Sequence, residues 1–415
     1  MNRVLIVAYH FPPIRHSSGV HRTLNFVRHL RDHGWESLVL TVHPRAYPEV
    51  GADLLNEIPE TTVVERAFAL DAARHLSLAG RFPKFAANPD RWASWLPFAL
   101  HAGRRLIGDN APSAILSTYP IATAHLVGER LAAWSGLPWI ADFRDSMYDD
   151  GYPTDPRQRA IHVRIDRAVA QGCTRALVTT PATRRLYRSR YPALPDRHWQ
   201  LIPNGYSEHD FAALGPQAGG DAGDSGRRVL LHSGILYPVE RDPVPFFKAL
   251  RALKRMGVLD ASRLQVRLRA TAHDEIYAPI LRDMDLDDLV ELAPALPYRE
   301  ALAEMTHVDG LLLLQAAGCN HQVPAKLYEY LRAQRPIIAL TDAGGDTAQI
   351  LREAGADNLL PLDSQARIEA GLPAMLDALD QGRLRVAPRA LVDRYSREHG
   401  AARLAEILQE ITTPG

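Results

Sequence analysis

The stretch NHQVPAKLYEYLRAQRPIIALTDAGGD, Asn320–Asp346, decides the fold. It reads as a short helix, a core strand and a tight turn in immediate succession. Pro324 suits the first turn of a helix, where a missing N–H costs nothing. Leu327, Tyr330 and Leu331 recur at i, i+3, i+4 and give the helix one inward face. Lys326 and Glu329, three apart, share a different face. The run PIIAL (Pro336–Leu340) reads as a core strand, and TDAGGD as the turn that follows it. A cation and a carboxylate at a helix start above a parallel sheet suit a phosphorylated, hydroxyl-rich ligand. The same spacing also describes an ordinary surface ion pair. The rest of the chain decides between the two.

Outward from that stretch the alternation of strand and helix repeats. In the first half, apolar runs at Val4–Tyr9, Ser37–Val42, Ala114–Ser117, Trp139–Phe143, Ala176–Thr180 and Gln200–Ile202 read as strands. Between the first two, Val20, Leu24, Val27 and Leu30 make one helical stripe. Near-continuous apolar strands separated by amphipathic helices predict a doubly wound parallel sheet. Ala212–Arg228, rich in Gly, Ala and Asp, has no periodicity and reads as a loop or linker. A second series follows, at Val229–His232, Gln265–Ala270, Val290–Leu292, Gly310–Gln315, Pro336–Leu340 and Leu359–Leu360. The expected organisation is an N-terminal Rossmann-like domain over 1–205, a linker over 206–228, a C-terminal Rossmann-like domain over 229–390 and a closing helical segment over 391–415. In that last segment Ala402, Leu404, Ile407 and Leu408 share an apolar side.

Bulk composition narrows the function classes. A chain of 415 residues is long for one core, and 46% hydrophobic with 23% charged residues is ordinary for a globular enzyme. Lys+Arg and Asp+Glu are 48 each, so nothing points to nucleic acid as a partner. Two cysteines, Cys173 and Cys319, are too few for a disulfide scaffold and fit a reducing compartment. MNRVLIVAYHFPP reads as a first strand rather than a signal peptide. No apolar run approaches the ~18 residues of a membrane span, so a cytoplasmic protein is expected, with at most peripheral contact with the inner membrane. The aromatic and basic segment Arg81–Leu106, carrying Phe82, Phe85, Trp92, Trp95 and Phe98, is the candidate for such contact or for cradling a lipid-linked acceptor. Its alternative reading is a core-packed aromatic segment.

Three further stretches carry candidate chemistry. In HFPPIRHSSGVHR, Gly19 precedes a helix whose N–H groups can face an anion; Ser17 or Ser18 acting as a simple N-cap is the alternative. ADFRDS places Asp142, Arg144 and Asp145 at the carboxyl edge of a strand, where open α/β sheets bind ligands. A mutual ion-pair network explains those charges equally well. In HSGILYPVERDP, Gly234 permits close backbone approach and Arg241 can clamp a diphosphate, unless it simply pairs with Asp242. Neither GxGxxG, GK[ST] nor GxSxG occurs, and the 17 histidines show no metal-binding spacing. Asp285-Leu-Asp287 formally matches a metal-binding DxD but lies in an acidic helix-to-strand segment. No metal or resident cofactor is expected.

Taken in order, YHFPPIRHSSGVHR, ADFRDS, IPNGY, HSGILYPVERDP, VPAKLYEYLRAQRPIIAL and GGDTAQIL resemble family 4 retaining glycosyltransferases of the GT-B fold. The resemblance runs over nearly the whole chain. It implies two doubly wound Rossmann-like domains facing each other across a deep cleft, with a C-terminal helix crossing back to the first. It further implies a nucleotide-sugar co-substrate, UDP- or GDP-linked, held by the C-terminal domain, and a glycan, lipid-linked or other hydroxyl acceptor held by the N-terminal one. Arg241 then matches the basic residue on the diphosphate, Lys326 and Glu329 the donor helix and ribose carboxylate, and Gly19 the glycine near the phosphates. Gly234, His321, Pro324 and Leu327 complete the implied donor set. His10, His21, Trp92, Trp95 and Tyr119 form the implied acceptor side, with Asp142, Arg144 and Asp145 orienting the attacking hydroxyl. Two departures stand out. His321 occupies the place of the family's first motif glutamate, and Ile235 follows Gly234 where the family has arginine. Bacterial surface polysaccharide or glycoconjugate assembly is the implied setting. The competing readings are a nucleotide-sugar epimerase on the same fold, which directs attention to His232 and His321, and a non-catalytic binding module.

Overall fold

The computed structural model describes residues 1–15, 18–78, 82, 87–149, 151–214 and 227–413. The chain divides into two compact units, one made of Met1–Asn204 with Arg397–Gly415 and the other of Gly205–Ser396. Most of the expected linker, along with Ser17, Arg81 and Phe85, falls outside the described residues.

The first unit is built on a seven-stranded parallel sheet. Its strands are β1 (Asn2–Val7), β2 (Trp35–Val42), β3 (Val63–Ala67), β4 (Ala114–Thr118), β5 (Trp139–Arg144), β6 (Arg175–Val178) and β7 (Trp199–Leu201), in the order β3-β2-β1-β4-β5-β6-β7. Leu5 of β1 pairs with Leu38 on one side and Ile115 on the other. Burial on both faces explains the near-continuous apolar strands. The edge strand β3 was not among the expected strands. Only Ala67 in it is buried, so VVERA shows no apolar run to read.

One sheet face packs against the helices Trp95–Asn110, Ala122–Ser135 and Pro156–Gly172. The other packs against Ser18–His29 and Arg397–Thr412, with Leu24 and Val27 meeting Leu404, Ile407 and Leu408 beneath Val4 and Ile6. The closing helix begins at Arg397, later than the expected segment at 391.

The second unit has a six-stranded parallel sheet. Its strands are β8 (Arg228–Ser233), β9 (Leu264–Arg269), β10 (Val290–Ala293), β11 (Gly310–Leu314), β12 (Ile337–Leu340) and β13 (Leu359–Leu360), in the order β10-β9-β8-β11-β12-β13. Apolar clusters cover both of its faces. All six strands expected from the sequence are present, with ends shifted by at most one residue.

Within each unit the strand order reverses once, between β1 and β4 and again between β8 and β11. Chains diverging to opposite sides at such a point leave a crevice at the strands' carboxyl ends, and open α/β sheets bind ligands there.

Candidate functional site

At the reversal point of the second unit, β8 delivers His232 and Ser233 to the sheet edge. Gly234 then turns the chain at φ +109°, a conformation L residues rarely adopt. The helix Lys326–Ala333 is pinned above this turn, because Tyr330 Oη accepts a 2.8 Å hydrogen bond from the Ser233 N–H. One turn earlier on the same helix, Lys326 reaches the end of β8. A Cβ built on Gly234 would sit 3.1 Å from Lys326 Nζ. Pro324 lies ahead of this helix rather than in its first turn. Its carbonyl accepts the Leu327 N–H, while Leu327 itself is buried in the core.

Lys326 Nζ donates to His232 Nε2 at 2.8 Å. The imidazole is fully buried, and its Nδ1–H donates to the Leu312 carbonyl of β11 at 3.0 Å. That bond fixes the tautomer and leaves Nε2 as the acceptor. Burial, then the neighbouring Lys326, holds His232 well below the ordinary histidine range. Burial, then Arg241, likewise holds the Lys326 amine well below the lysine range, and Glu329 opposes this. Like charges gathered in a dry site are destabilised until an anion arrives.

Arg241 does not pair with Asp242. Asp242 instead accepts the Val244 N–H at the start of the helix Val244–Arg255. The Arg241 guanidinium donates to the Ile235 carbonyl at 3.0 Å and stands 5.2 Å over the Tyr237 ring. Among the described residues no carboxylate neutralises it, so it remains available to an anion. On the exposed side of the Lys326 helix, Tyr298 Oη donates to Glu329 at 2.9 Å. His321 follows β11 in the turn beside the helix Asp346–Glu353, where the Asn320 carbonyl accepts the Asp346 N–H. The structure therefore gathers Gly234, Arg241, Lys326 and Glu329 at one edge. His232 and Tyr298 join them, Tyr298 unforeseen because 31 residues separate it from Glu329.

At the reversal point of the first unit, Asp142 takes the second of the two parts open to it, an ion pair, though with Arg22 and not with a neighbour in ADFRDS. It is buried, and both carboxylate oxygens accept from Arg22, at 2.9 and 3.0 Å. Thr118 donates a third bond at 3.0 Å, and the remaining Arg22 donor reaches the Ile202 and Pro203 carbonyls. All three Arg22 nitrogens and both Asp142 oxygens are engaged within the protein, so Asp142 fastens the helix Ser18–His29 to the sheet edge. Arg22 was not among the sequence candidates. Its partner lies 120 positions away and no local spacing betrays the pair.

Arg144 is the freer group. It closes β5 at φ +57°, donates to the Tyr119 carbonyl at 3.2 Å, and has a buried Nε with no partner among the described residues. Burial lowers its pKa from the ordinary arginine value. Its Nη1 would lie 2.5 Å from a Cβ built on Gly19, so a side chain there would have to displace the end of Arg144. The His10 ring lies beside the same point. Burial, then Arg144, pushes His10 down to about 4, which leaves it neutral at pH 7. Asp145 is exposed at the rim, and His21 is half-buried one turn along the helix.

The implied acceptor residues separate. Trp92 and Tyr119 line a cavity of about 590 Å³ with Asn88, Pro89, Tyr152 and His162. Trp95 is fully buried in the core, which corrects its expected role as a ligand contact. Asp90, missed in the sequence, also lines the cavity. It accepts the Thr123 N–H and hydroxyl at the start of the helix Ala122–Ser135, and burial raises its pKa. No group of three or more His, Cys, Asp or Glu side chains with metal-binding geometry occurs among the described residues.

Residues 18–205 match the model of the glycosyl transferase 4-like domain. A D-inositol 3-phosphate glycosyltransferase of Kineococcus radiotolerans is 27% identical over 296 residues, which cover 66% of this chain and 63% of that relative. Among solved structures, sucrose-phosphate synthase of Thermosynechococcus elongatus superposes with a TM-score of 0.67 at 13% identity, over 99% of both chains. Anabaena HepE, in complex with UDP and glucose, gives 0.65 at 12% identity, over 99% of this chain and 100% of that one. The two doubly wound sheets are those of the GT-B fold.

Proposed function

We propose, from the premise that residues 18–205 are a glycosyl transferase 4-like domain, that this protein transfers a sugar from a nucleoside-diphosphate donor to a hydroxyl acceptor. The observation that carries the reading is the cationic edge of the second unit. There Lys326 and Arg241 stand beside a glycine turn, with no carboxylate on Arg241 among the described residues, and Glu329 lies within one helical turn of Lys326. Charge of this kind, held in place before the ligand arrives, stabilises a departing diphosphate at little reorganisation cost. Glu329, oriented by Tyr298, is suited to accept hydrogen bonds from the two ribose hydroxyls. The Trp92–Tyr119 cavity of the first unit is assigned to the acceptor, with Arg144 and Asp145 at the neighbouring sheet edge.

Retention of anomeric configuration and independence from metal belong to the same proposal. The departing phosphate takes the acceptor proton on the face it leaves, so paired acid and base carboxylates are not needed. Hexosyl transfer in bacterial surface polysaccharide or glycoconjugate assembly is the proposed setting. Incubation with UDP-, GDP- and dTDP-sugars, followed by mass spectrometry, tests the reading. Slow hydrolysis of one donor to free sugar and nucleoside diphosphate is expected without acceptor. Epimerised donor would replace transfer by epimerisation, and failure to bind any nucleotide would remove the donor site altogether.

A further inference from the structure

We infer that the outer face of the helix Trp95–Asn110, with Phe68 and Trp134 beside it, is a docking surface for an anionic lipid bilayer. The inner face of this helix presents Trp95, Ala99, Ala102, Gly103 and Leu106 to the core. Nothing in the packing of the unit therefore requires aromatic groups on the outer one. Yet Phe98 is 48% exposed there, and its ring meets that of Phe68, itself 51% exposed, edge to face at 5.0 Å. From Phe98 the stripe runs through His101 to Arg104 and Arg105, at the helical spacings that keep residues on one side. Arg104 then stands 5.5 Å over the ring of Trp134, which is 52% exposed on the helix Ala122–Ser135. Arg130, one turn before Trp134, lies on the same exposed side.

Charge and shape select the occupant. Neither Arg104 nor Arg105 has a carboxylate partner among the described residues, and Asp109 at the helix end is the acid nearest to them in sequence. Half-exposed aromatics flanked by unpaired arginines match a lipid headgroup region, where rings enter the interface and guanidinium groups meet phosphates. Single-stranded nucleic acid fits less well. Base stacking needs an open ring face, whereas Arg104 covers that of Trp134 and the two phenylalanines pack against each other. Of the segment Arg81–Leu106 expected to touch a membrane, Trp92 and Trp95 turn inward and Phe98 alone among the described aromatics is exposed.

The inference does not depend on the transfer reading and is tested separately, by sedimentation of the full chain with phosphatidylcholine vesicles prepared with and without phosphatidylglycerol. The wild type is expected to sediment with the anionic vesicles at low salt and to be released as salt rises. At about fivefold per arginine near a charged surface, the double variant Arg104→Gln, Arg105→Gln should bind on the order of twentyfold more weakly. Phe68→Ser with Phe98→Ser should reduce binding further at every salt concentration. All four side chains are largely exposed, so an unchanged unfolding midpoint serves as the folding control. Absence of sedimentation at low salt, or variants that sediment like the wild type, overturns the inference. Self-association or binding to an oligonucleotide that the same variants abolish would assign the face to that partner instead.

Discussion

Replacing Asp142 by alanine should unfold the first unit at much lower denaturant, because the change strands Arg22. The guanidinium side chain is 6% exposed and the carboxylate 1%, so water does not reach the group left behind. Two charge-assisted bonds of 2.9 and 3.0 Å are lost, together with that from Thr118. Breaking one partner out of a buried pair costs about 3–5 kcal/mol, mostly as the penalty on the charge left behind. All six tryptophans, Trp35, Trp92, Trp95, Trp134, Trp139 and Trp199, lie in the first unit. Tryptophan fluorescence during urea unfolding therefore reports that unit alone and avoids the two-domain problem. With an m-value of about 2 kcal/mol/M the midpoint should fall by roughly 2 M. Removing both charges, with Arg22→Met and Asp142→Leu, should cost less than the sum of the single changes. An Asp142→Ala protein with an unshifted midpoint and abolished turnover would refute the fastening role and return Asp142 to the substrate.

Glu329→Gln should weaken binding of the nucleotide-sugar by about 1.5–3 kcal/mol if the carboxylate holds the ribose, as read by calorimetric titration; unchanged affinity rejects that role. Gly234→Ala forces a Cβ at φ +109° against Lys326. It should destabilise the second unit by about 1–3 kcal/mol and weaken donor binding, which hydrogen exchange and titration would show together. His10 and His125 are both pushed down to about 4 by burial. The unfolded chain therefore takes up protons first as pH falls below 6.5, and stability drops between pH 6.5 and about 4. Tryptophan-detected unfolding midpoints across that window should fall, and a flat profile would contradict the burial of these rings.

Sequence periodicity made both sheets legible because their strands are covered on two faces and so carry unbroken apolar runs. It failed at β3 for the converse reason, an edge strand half open to water. The donor edge was partly legible, since Lys326 and Glu329 share one short helix and Gly234 and Arg241 one loop. The bonds that define its chemistry were not. Lys326 meets His232 across 94 residues, and Arg22 meets Asp142 across 120. Such pairs exist only after the sheet has assembled. Trp92 and Trp95, three apart on one short segment, illustrate the remaining limit. One lines a cavity and the other is sealed in the core, according to where the helix Trp95–Asn110 begins.

The return of the helix Arg397–Thr412 to the first unit bears on how this protein is made. Leu404, Ile407 and Leu408 complete the layer over Val4 and Ile6, yet the ribosome joins them only after all of residues 205–396 have been added. Until then the first sheet, though already synthesised, has one side incompletely covered and prone to sticking. Chains interrupted anywhere in the second unit would carry that bare surface, whatever the state of their own later residues. Nascent-chain length, rather than local sequence, should thus set the moment at which the first unit becomes resistant to protease.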